Sequence, residues 1–166
     1  ESETALLMSG IVAQLQGQRE KAEEALAKLL TVNPSDAKAT NLLALLLIDS
    51  PKVSDQEKAL RYAQVNAERF AKQSQTQITL AWVQHKLGRK RESQQALQRG
   101  IQAGNLSADS YYLLAQILAD ENNNEKAKQI LQELLSRSES TFLYRNEAEA
   151  LYKKLGRSLD DFTQQN

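Results

Sequence analysis

The sequence predicts an all-α protein built from consecutive pairs of antiparallel helices. The 166 residues are rich in Ala, Leu, Gln, Glu and Lys and contain only two prolines and six glycines, a composition that favours helices over strands. Apolar residues recur at the helical spacings of three and four, for example at Leu80, Val83 and Leu87. A turn residue returns every 34 positions, at Gly88, Asn122 and Gly156, which indicates a repeated pair of helices.

Nine helices follow from this pattern, over 4–17, 19–32, 36–49, 55–71, 74–87, 90–103, 107–121, 123–137 and 141–155. Each first helix closes at a Gly or Asn, because these residues adopt the left-handed backbone that ends a helix. Pro34 ends the second helix, and the predicted N-caps are Asp36, Ser54, Ser107 and Ser140. The second pair is three residues longer than the others, and we expect the polar stretch 49–55 to absorb the insertion as a loop.

Small residues also recur in phase, once in each first helix at Gly10, Ala44, Ala81 and Ala115, and once in each second helix at Ala22, Ala59, Ser93 and Ala127. In this the units resemble tetratricopeptide repeats, whose 34-residue pattern has small residues at positions 8 and 20 and Gly at 15. Asn66 and Gly100 depart from the Ala of position 27. The resemblance divides a single domain, 1–166, into repeats 3–36, 37–73, 74–107 and 108–141, a capping helix 141–155 and a polar tail 156–166.

The resemblance implies a right-handed superhelix of antiparallel helix pairs, an α–α solenoid, in which positions 8 and 20 face each other closely. Because a helix pair cannot bury its apolar side alone, neighbouring pairs stack and enclose a concave groove. In this family such a groove holds an extended or helical peptide, so the implied function is a protein-interaction scaffold. The known clamp for chaperone carboxylates is not expected, since its Lys and Arg positions hold other residues here.

Carried over by repeat position, the side chains expected in the groove are Lys38, Asn41, Leu45, Gln75, Ile78, Trp82, His85, Tyr112, Gln116, Asn146 and Lys153. Trp82 beside His85, with Tyr112 one repeat later, would form an amphipathic anchor for a partner. The alternative is that Trp82 packs between adjacent helices. Both interpretations stay open at the level of the sequence.

Composition argues against several other functions. One histidine, His85, and no cysteine leave little for nucleophilic catalysis or a metal site, so we expect no enzyme and no cofactor. Basic and acidic residues number 21 each and leave no global field that would favour binding of nucleic acid, which we do not expect. The longest apolar run, 42–48, is too short for the roughly 20 residues of a membrane span. The basic residues Lys86, Arg89, Lys90, Arg91 and Arg99 either contact an acidic partner or form a solvated turn.

A second hypothesis is a structural spacer or self-association domain. The first helix presents Leu6, Leu7, Ile11 and Leu15, more apolar side chains than one neighbouring helix needs. The chain begins at Glu1 without a methionine, and we expect it to be part of a longer repeat protein. The runs 80–83 (LAWV) and 86–89 (KLGR) resemble bacterial repeat arrays, which implies a bacterial source. The absence of cysteine fits a cytoplasmic location and an exported one equally.

Overall fold

In a computed structural model that describes residues 2–137 and 142–156, all nine predicted helices are present and no strand occurs. Their bounds are α1 (Glu3–Leu15), α2 (Arg19–Val32), α3 (Ala37–Ile48), α4 (Val53–Arg69), α5 (Ser74–Lys86), α6 (Lys90–Ala103), α7 (Ala108–Asp120), α8 (Asn124–Ser136) and α9 (Arg145–Lys154). The helices divide into two compact units, with the boundary between Gly104 and Asn105. The first unit contains α1–α6 and the second contains α7–α9. That 1–166 fold as one domain remains a prediction.

The expected left-handed backbone occurs in the turns after α1, α5, α7 and α9, but not in the turn between α3 and α4. Gly17, Gly88, Asn122 and Gly156 have φ of 69°, 73°, 62° and 84°. After each of the first three, the next N–H donates to a carbonyl five residues back, as in Arg89 N to Gln84 O at 2.9 Å. This is the hydrogen bond that closes a helix when the residue after it is left-handed. The 34-residue recurrence therefore marks a recurring backbone conformation.

The three-residue insertion lengthens a helix instead of a loop. Ala22, Ser93 and Ala127 are each the fourth residue of their helix, whereas Ala59 is the seventh of α4, so α4 has gained almost one turn at its start. Ser50 organises this start: its hydroxyl donates to Asp55 Oδ2 at 2.7 Å, and its carbonyl accepts from Gln56 Nε2 at 2.9 Å. The expectation of Ser54 as N-cap was wrong, because α4 begins at Val53 with Lys52 as its cap.

The remaining caps agree in part with expectation. Asp36 and Ser107 accept from the backbone N–H of the third residue onward, at 2.8 and 3.1 Å. Ser140 lies outside the described residues. The last helix begins at Arg145 and not at 141. The N–H of Tyr144, the residue directly before this helix, donates to the Asp109 side chain at 3.2 Å.

The first unit has its core along α3, where Leu43 to Ile48 are all buried. This helix packs against α2, α4 and α5, so it is apolar on nearly all sides. Small residues bring paired helices together as expected: a Cβ at Gly10 would lie 2.8 Å from Leu26 Cδ2. In the third pair, positions 8 and 20 do face each other, since Ser93 Oγ donates to Ala81 O at 2.8 Å. Within the described ranges, no helix combines the length and apolar character that crossing a membrane requires.

Candidate protein-binding surface

An aromatic and charged group lies at the end of α5 in the first unit. The rings of Trp82 and His85 stack with centroids 5.9 Å apart, and Lys86 Nζ lies 5.4 Å from the Trp82 ring centroid. Lys86 also forms an ion pair with Asp49, at the end of α3, with Nζ and Oδ1 3.2 Å apart. We call these four residues, Asp49, Trp82, His85 and Lys86, the Trp82 cluster. It offers an aromatic face flanked by both signs of charge.

The Trp82 ring is half-buried, as is the ring of His85. Trp82 therefore contacts the protein on part of its surface and reaches solvent with the rest. Lys86 and Asp49 are 40% and 56% exposed at their side chains, so their ion pair contributes little to stability. The exposed aromatic surface and these weakly held charges are available to a partner at small cost.

Polar side chains hold α5 in place from its other sides. The buried Gln77 donates through Nε2 to Ala67 O at 2.9 Å and accepts at Oε1 from Arg99 Nε at 2.8 Å. Thr76 Oγ1 donates towards Phe70 O and Gln73 O, at 3.0 and 2.9 Å. Because buried hydrogen bonds are costly to break, α5 is tied to the end of α4 and to α6. The Trp82 cluster is thus carried by a well-supported helix.

Four side chains expected in the groove are buried inside the units: Asn41, Leu45, Ile78 and Tyr112. Asn41 Oδ1 accepts from Asn66 Nδ2 at 2.8 Å, and Asn66 donates as well to Ala37 O at 2.9 Å. Asn66 departs from the small apolar residue of the repeat pattern, and Asn41 supplies its acceptor. Leu45 belongs to the core along α3. A contact with a partner is accordingly not proposed for these side chains.

Ile78 is buried because of Gly100, the other departure from the pattern. A Cβ at Gly100 would lie 2.6 Å from Ile78 Cδ1 and 2.8 Å from Ile78 Cγ1, distances shorter than any van der Waals contact. The missing side chain on α6 therefore leaves the space that the Ile78 side chain fills. The sequence does contain a signal for this packing. In the third repeat, a large residue at position 5, Ile78, is combined with glycine, the smallest residue, at position 27.

The remaining side chains of the first unit that were expected in the groove reach the surface to different degrees. Lys38 is exposed near the start of α3, and Gln75 is half-buried near the start of α5. Gln75 and Trp82 lie two turns apart on one face of α5. The structure brings Trp82, His85 and Asp49 together. Lys38 lies near the start of α3, at the opposite end of that helix from Asp49.

In the second unit Tyr112 stacks on Tyr144, with ring centroids 5.0 Å apart. Its hydroxyl donates to Gln116 Oε1 at 3.4 Å, and Gln116 Nε2 donates to Asp120 Oδ1 at 2.8 Å, a polar chain along one face of α7. Tyr144 had no predicted role, although it is an aromatic residue directly before α9. Tyr112 thus holds the start of α9 against α7.

Asp109 stands beside this tyrosine pair, where its carboxylate accepts from the N–H of Tyr144. Burial raises the pKa of Asp109, and the nearby Glu147 carboxylate adds to the rise. The N–H groups of Tyr144 and Leu143 oppose it by stabilising the anion. Two of the side chains expected in the groove, Asn146 and Lys153, lie on α9. Both are exposed and therefore accessible to a protein that binds the second unit.

The basic residues around the α5–α6 turn do not form one patch. Lys86 pairs with Asp49, Arg89 Nη1 lies 3.5 Å from Glu92 Oε2, and Arg99 bonds to the buried Gln77. Lys90 and Arg91 are exposed at the start of α6. Three of the five cations are thus engaged within the first unit, which favours the interpretation as a solvated turn.

An apolar stripe runs along α1. Met8, Val12 and Leu15 are 52%, 44% and 61% exposed, and their spacing of four and three places them on one face. Leu6 is buried, while Leu7 and Ile11 are half-buried, so the expected apolar face is displaced around the helix. Met8 and Val12 were missed, although the same spacing in the sequence indicates them.

No group of three or more His, Asp or Glu side chains in the described part of the chain is arranged to hold a metal ion. The single histidine belongs to the Trp82 cluster and stacks on an aromatic ring.

Comparison with known proteins agrees with the repeat pattern. Models of the tetratricopeptide repeat match residues 7–71 and 108–141. Among solved structures, the chain is similar to TTC0263, a thermophilic TPR protein of Thermus thermophilus, at 19% identity and a TM-score of 0.70, covering 99% of this chain and 88% of that one. It is also similar to the MamA protein, at 17% identity and a TM-score of 0.54, covering 98% and 88%. No curated protein matches the sequence.

Proposed function

The chain belongs to the tetratricopeptide repeat family, and we propose that it is a scaffold whose Trp82 cluster contacts a segment of a partner protein. Proteins of this family bind protein partners and are typically non-catalytic. The observation that carries the finer proposal is the half-buried Trp82 ring, which stacks on His85 and has Lys86 Nζ over it. Tryptophan is among the residues that contribute most of the binding energy at protein interfaces.

The partner segment that suits this surface is extended or helical and inserts an apolar side chain against Trp82. Next to this apolar side chain, an acidic group of the partner would replace Asp49 in the ion pair with Lys86, or a basic group would replace Lys86 in the ion pair with Asp49. Both exchanges are inexpensive because the ion pair is exposed. Lys38 and Gln75 on the first unit, and Gln116, Asn146 and Lys153 on the second, are proposed as supporting contacts of each unit.

The test compares the partners recovered on wild-type protein with those on Trp82→Ala and Lys86→Ala. We expect both variants to lose the same partner, by about tenfold, since an interface anchor is worth more than about 1 kcal/mol. Gln94→Ala, an exposed position on α6, is the matched control and should recover the partner fully. Lys86→Ala removes only an exposed side chain and should keep the wild-type melting temperature, so loss of fold cannot explain its effect. Unchanged recovery on both variants would contradict the proposal.

A second candidate function is self-association through α1. It is favoured by the apolar stripe of Met8, Val12 and Leu15, because large contiguous apolar patches on soluble proteins often mark sites of association. The occupant we propose for the stripe is a second copy of this chain, in a symmetric arrangement that buries both stripes together. Such a dimer is compatible with partner binding at α5.

A further inference from the structure

A groove separate from the Trp82 cluster lies between α2, the loop that follows it and α4. Its volume is about 490 Å³, within the range of sites that hold small molecules or side chains of a peptide. Leu30 and Pro34 line it from one side, and Lys58, Arg61, Tyr62, Val65 and Arg69 of α4 line it from the other. No residue of α5 contributes to it. We call it the α2–α4 groove.

The charged side chains that line the α2–α4 groove are all cationic: Lys58, Arg61 and Arg69. Lys58 has a weak ion pair with Asp55, with Nζ and Oδ1 3.8 Å apart. Arg69 Nη1 donates to Pro34 O at 3.1 Å and to Ser35 Oγ at 3.0 Å. Because both acceptors are uncharged, they do not neutralise the positive charge of the Arg69 guanidinium.

Arg61 is exposed and makes neither a hydrogen bond nor an ion pair within the described ranges. An arginine without a partner beside a groove presents five N–H donors in a planar fork that matches a carboxylate. Although the whole chain has zero net charge, the α2–α4 groove is thus a local site for an anion.

The groove also has an apolar side. Val65 is 52% exposed, and Leu30 and Tyr62 are half-buried beside it. A ligand that only carried charge would leave this surface in water, whereas a ligand with an apolar side chain would cover it. The complementary ligand is therefore amphipathic: acidic groups for the cations and one apolar side chain for Val65 and Tyr62.

We propose that the α2–α4 groove binds an acidic peptide segment of a partner protein, with an apolar side chain placed between its carboxylates. A peptide is favoured over a nucleic acid because only three cations and a single aromatic ring line the groove, and a chain of zero net charge has no field that would gather a polyanion. The scaffold then has two protein-binding surfaces, one on α5 and one on α4. This second surface does not depend on the Trp82 cluster.

The test uses a fluorescent eight-residue peptide with Leu-Phe between two blocks of three acidic residues, and measures its anisotropy with the full chain. We expect saturable binding that weakens as salt is raised, because part of it is electrostatic. Arg61→Glu should weaken it by at least about tenfold, since like charges repel across the site. Val65→Ser should weaken it without any change in charge. Neither variant removes a hydrogen bond, so both should keep the wild-type circular dichroism spectrum.

Arg91→Glu is the matched control, because Arg91 is exposed on the second helix of another pair, does not line the groove and undergoes the same change of charge. Equal weakening by Arg91→Glu would mean attraction by charge alone and would overturn the proposal. Stronger binding of an oligonucleotide of equal charge would overturn it in favour of a nucleic acid.

The sole tryptophan of the chain, Trp82, separates this proposal from that of the α5 surface. Peptide binding at the α2–α4 groove should leave Trp82 emission unchanged. A shift in that emission, with wild-type affinity retained in Arg61→Glu, would place the peptide at the Trp82 cluster and overturn the inference. Failure here would leave the test with Trp82→Ala and Lys86→Ala unaffected, because that test measures a different surface.

Discussion

At the scale of single residues, three buried polar side chains, Asn66, Gln77 and Ser93, are held by hydrogen bonds to neighbouring helices or loops. Asn66 donates to Ala37 O and Asn41 Oδ1, and Gln77 both donates and accepts. Ser93 Oγ donates to Ala81 O. Since an unsatisfied buried polar group costs about 1–3 kcal/mol, each of these buried side chains is stable only together with its partner.

Asp109 gives a prediction about pH at this scale. Burial raises its pKa above the ordinary value of 3.8, so the folded protein binds this proton more tightly than the unfolded chain does. The stabilisation from the bound proton is complete below the unfolded pKa and is lost as the pH rises through the raised folded pKa. In Asp109→Asn no such proton exists. We therefore expect its melting temperature, relative to wild type, to increase as the pH rises from acidic to neutral.

Melting followed by circular dichroism at several pH values checks this expectation. Asn retains the Oδ1 acceptor for the N–H of Tyr144, so the start of α9 should stay in place. Glu57→Gln, at an exposed carboxylate of α4, controls for the general effect of removing a negative charge. A melting difference between Asp109→Asn and wild type that does not vary with pH would rule out the assigned role of burial.

At the scale of elements, the approach of paired helices depends on complementary large and small residues. Gly10 leaves room for Leu26 between α1 and α2, and Gly100 leaves room for Ile78 between α5 and α6. The three extra residues of the second pair extend α4 by nearly a turn, because Ser50 and Asp55 supply hydrogen bonds to its start. The loop between α3 and α4 therefore does not have to accommodate all three extra residues.

Gly100→Ala tests the packing of α5 on α6. In an exposed helix this substitution would stabilise by roughly 1 kcal/mol, but here the added methyl group would meet Ile78 Cδ1 at 2.6 Å. We expect a net destabilisation of about 1–3 kcal/mol, measured by urea unfolding, since overpacking a buried site forces side chains from their rotamers.

Ile78→Val removes the closest of the clashing atoms, so it should restore part of the stability in the double variant. This makes the two substitutions non-additive, as expected for residues in contact. Increased stability of Gly100→Ala, or strict additivity with Ile78→Val, would show that the close contact does not limit the packing.

At the scale of the whole molecule, the chain combines zero net charge with apolar surface on α1. Low net charge promotes association of proteins, and the stripe of Met8, Val12 and Leu15 provides a surface for it. We expect the wild-type chain to sediment as a dimer at micromolar concentrations. Val12→Asp places a charge in the middle of the stripe and should give a monomer.

Val53→Asp is the matched control, because Val53 is 68% exposed at the start of α4, outside the stripe. It introduces the same charge and should leave the dimer intact. A monomeric wild-type protein would exclude self-association through α1. A dimer that persists in Val12→Asp would place the interface elsewhere.

The sequence by itself determined the repeat and its helices, since both depend on local physics. Left-handed residues such as Gly88 and Asn122 end a helix through their own backbone, and apolar spacing defines the face that is buried. Neither requires knowledge of distant contacts. The family and the nine helices could therefore be predicted from residue types and their intervals.

Only the tertiary structure decided which side chains are accessible to a partner. Gly100, on the next helix, leaves the space that the buried Ile78 side chain fills, and the hydrogen bond from Asn66 offsets the cost of burying Asn41. The α2–α4 groove likewise needs Leu30 and Arg61 to be brought together from separate helices. Repeat position assigns a residue to a helix face, but the volume and hydrogen bonds of neighbouring helices determine whether that face meets solvent.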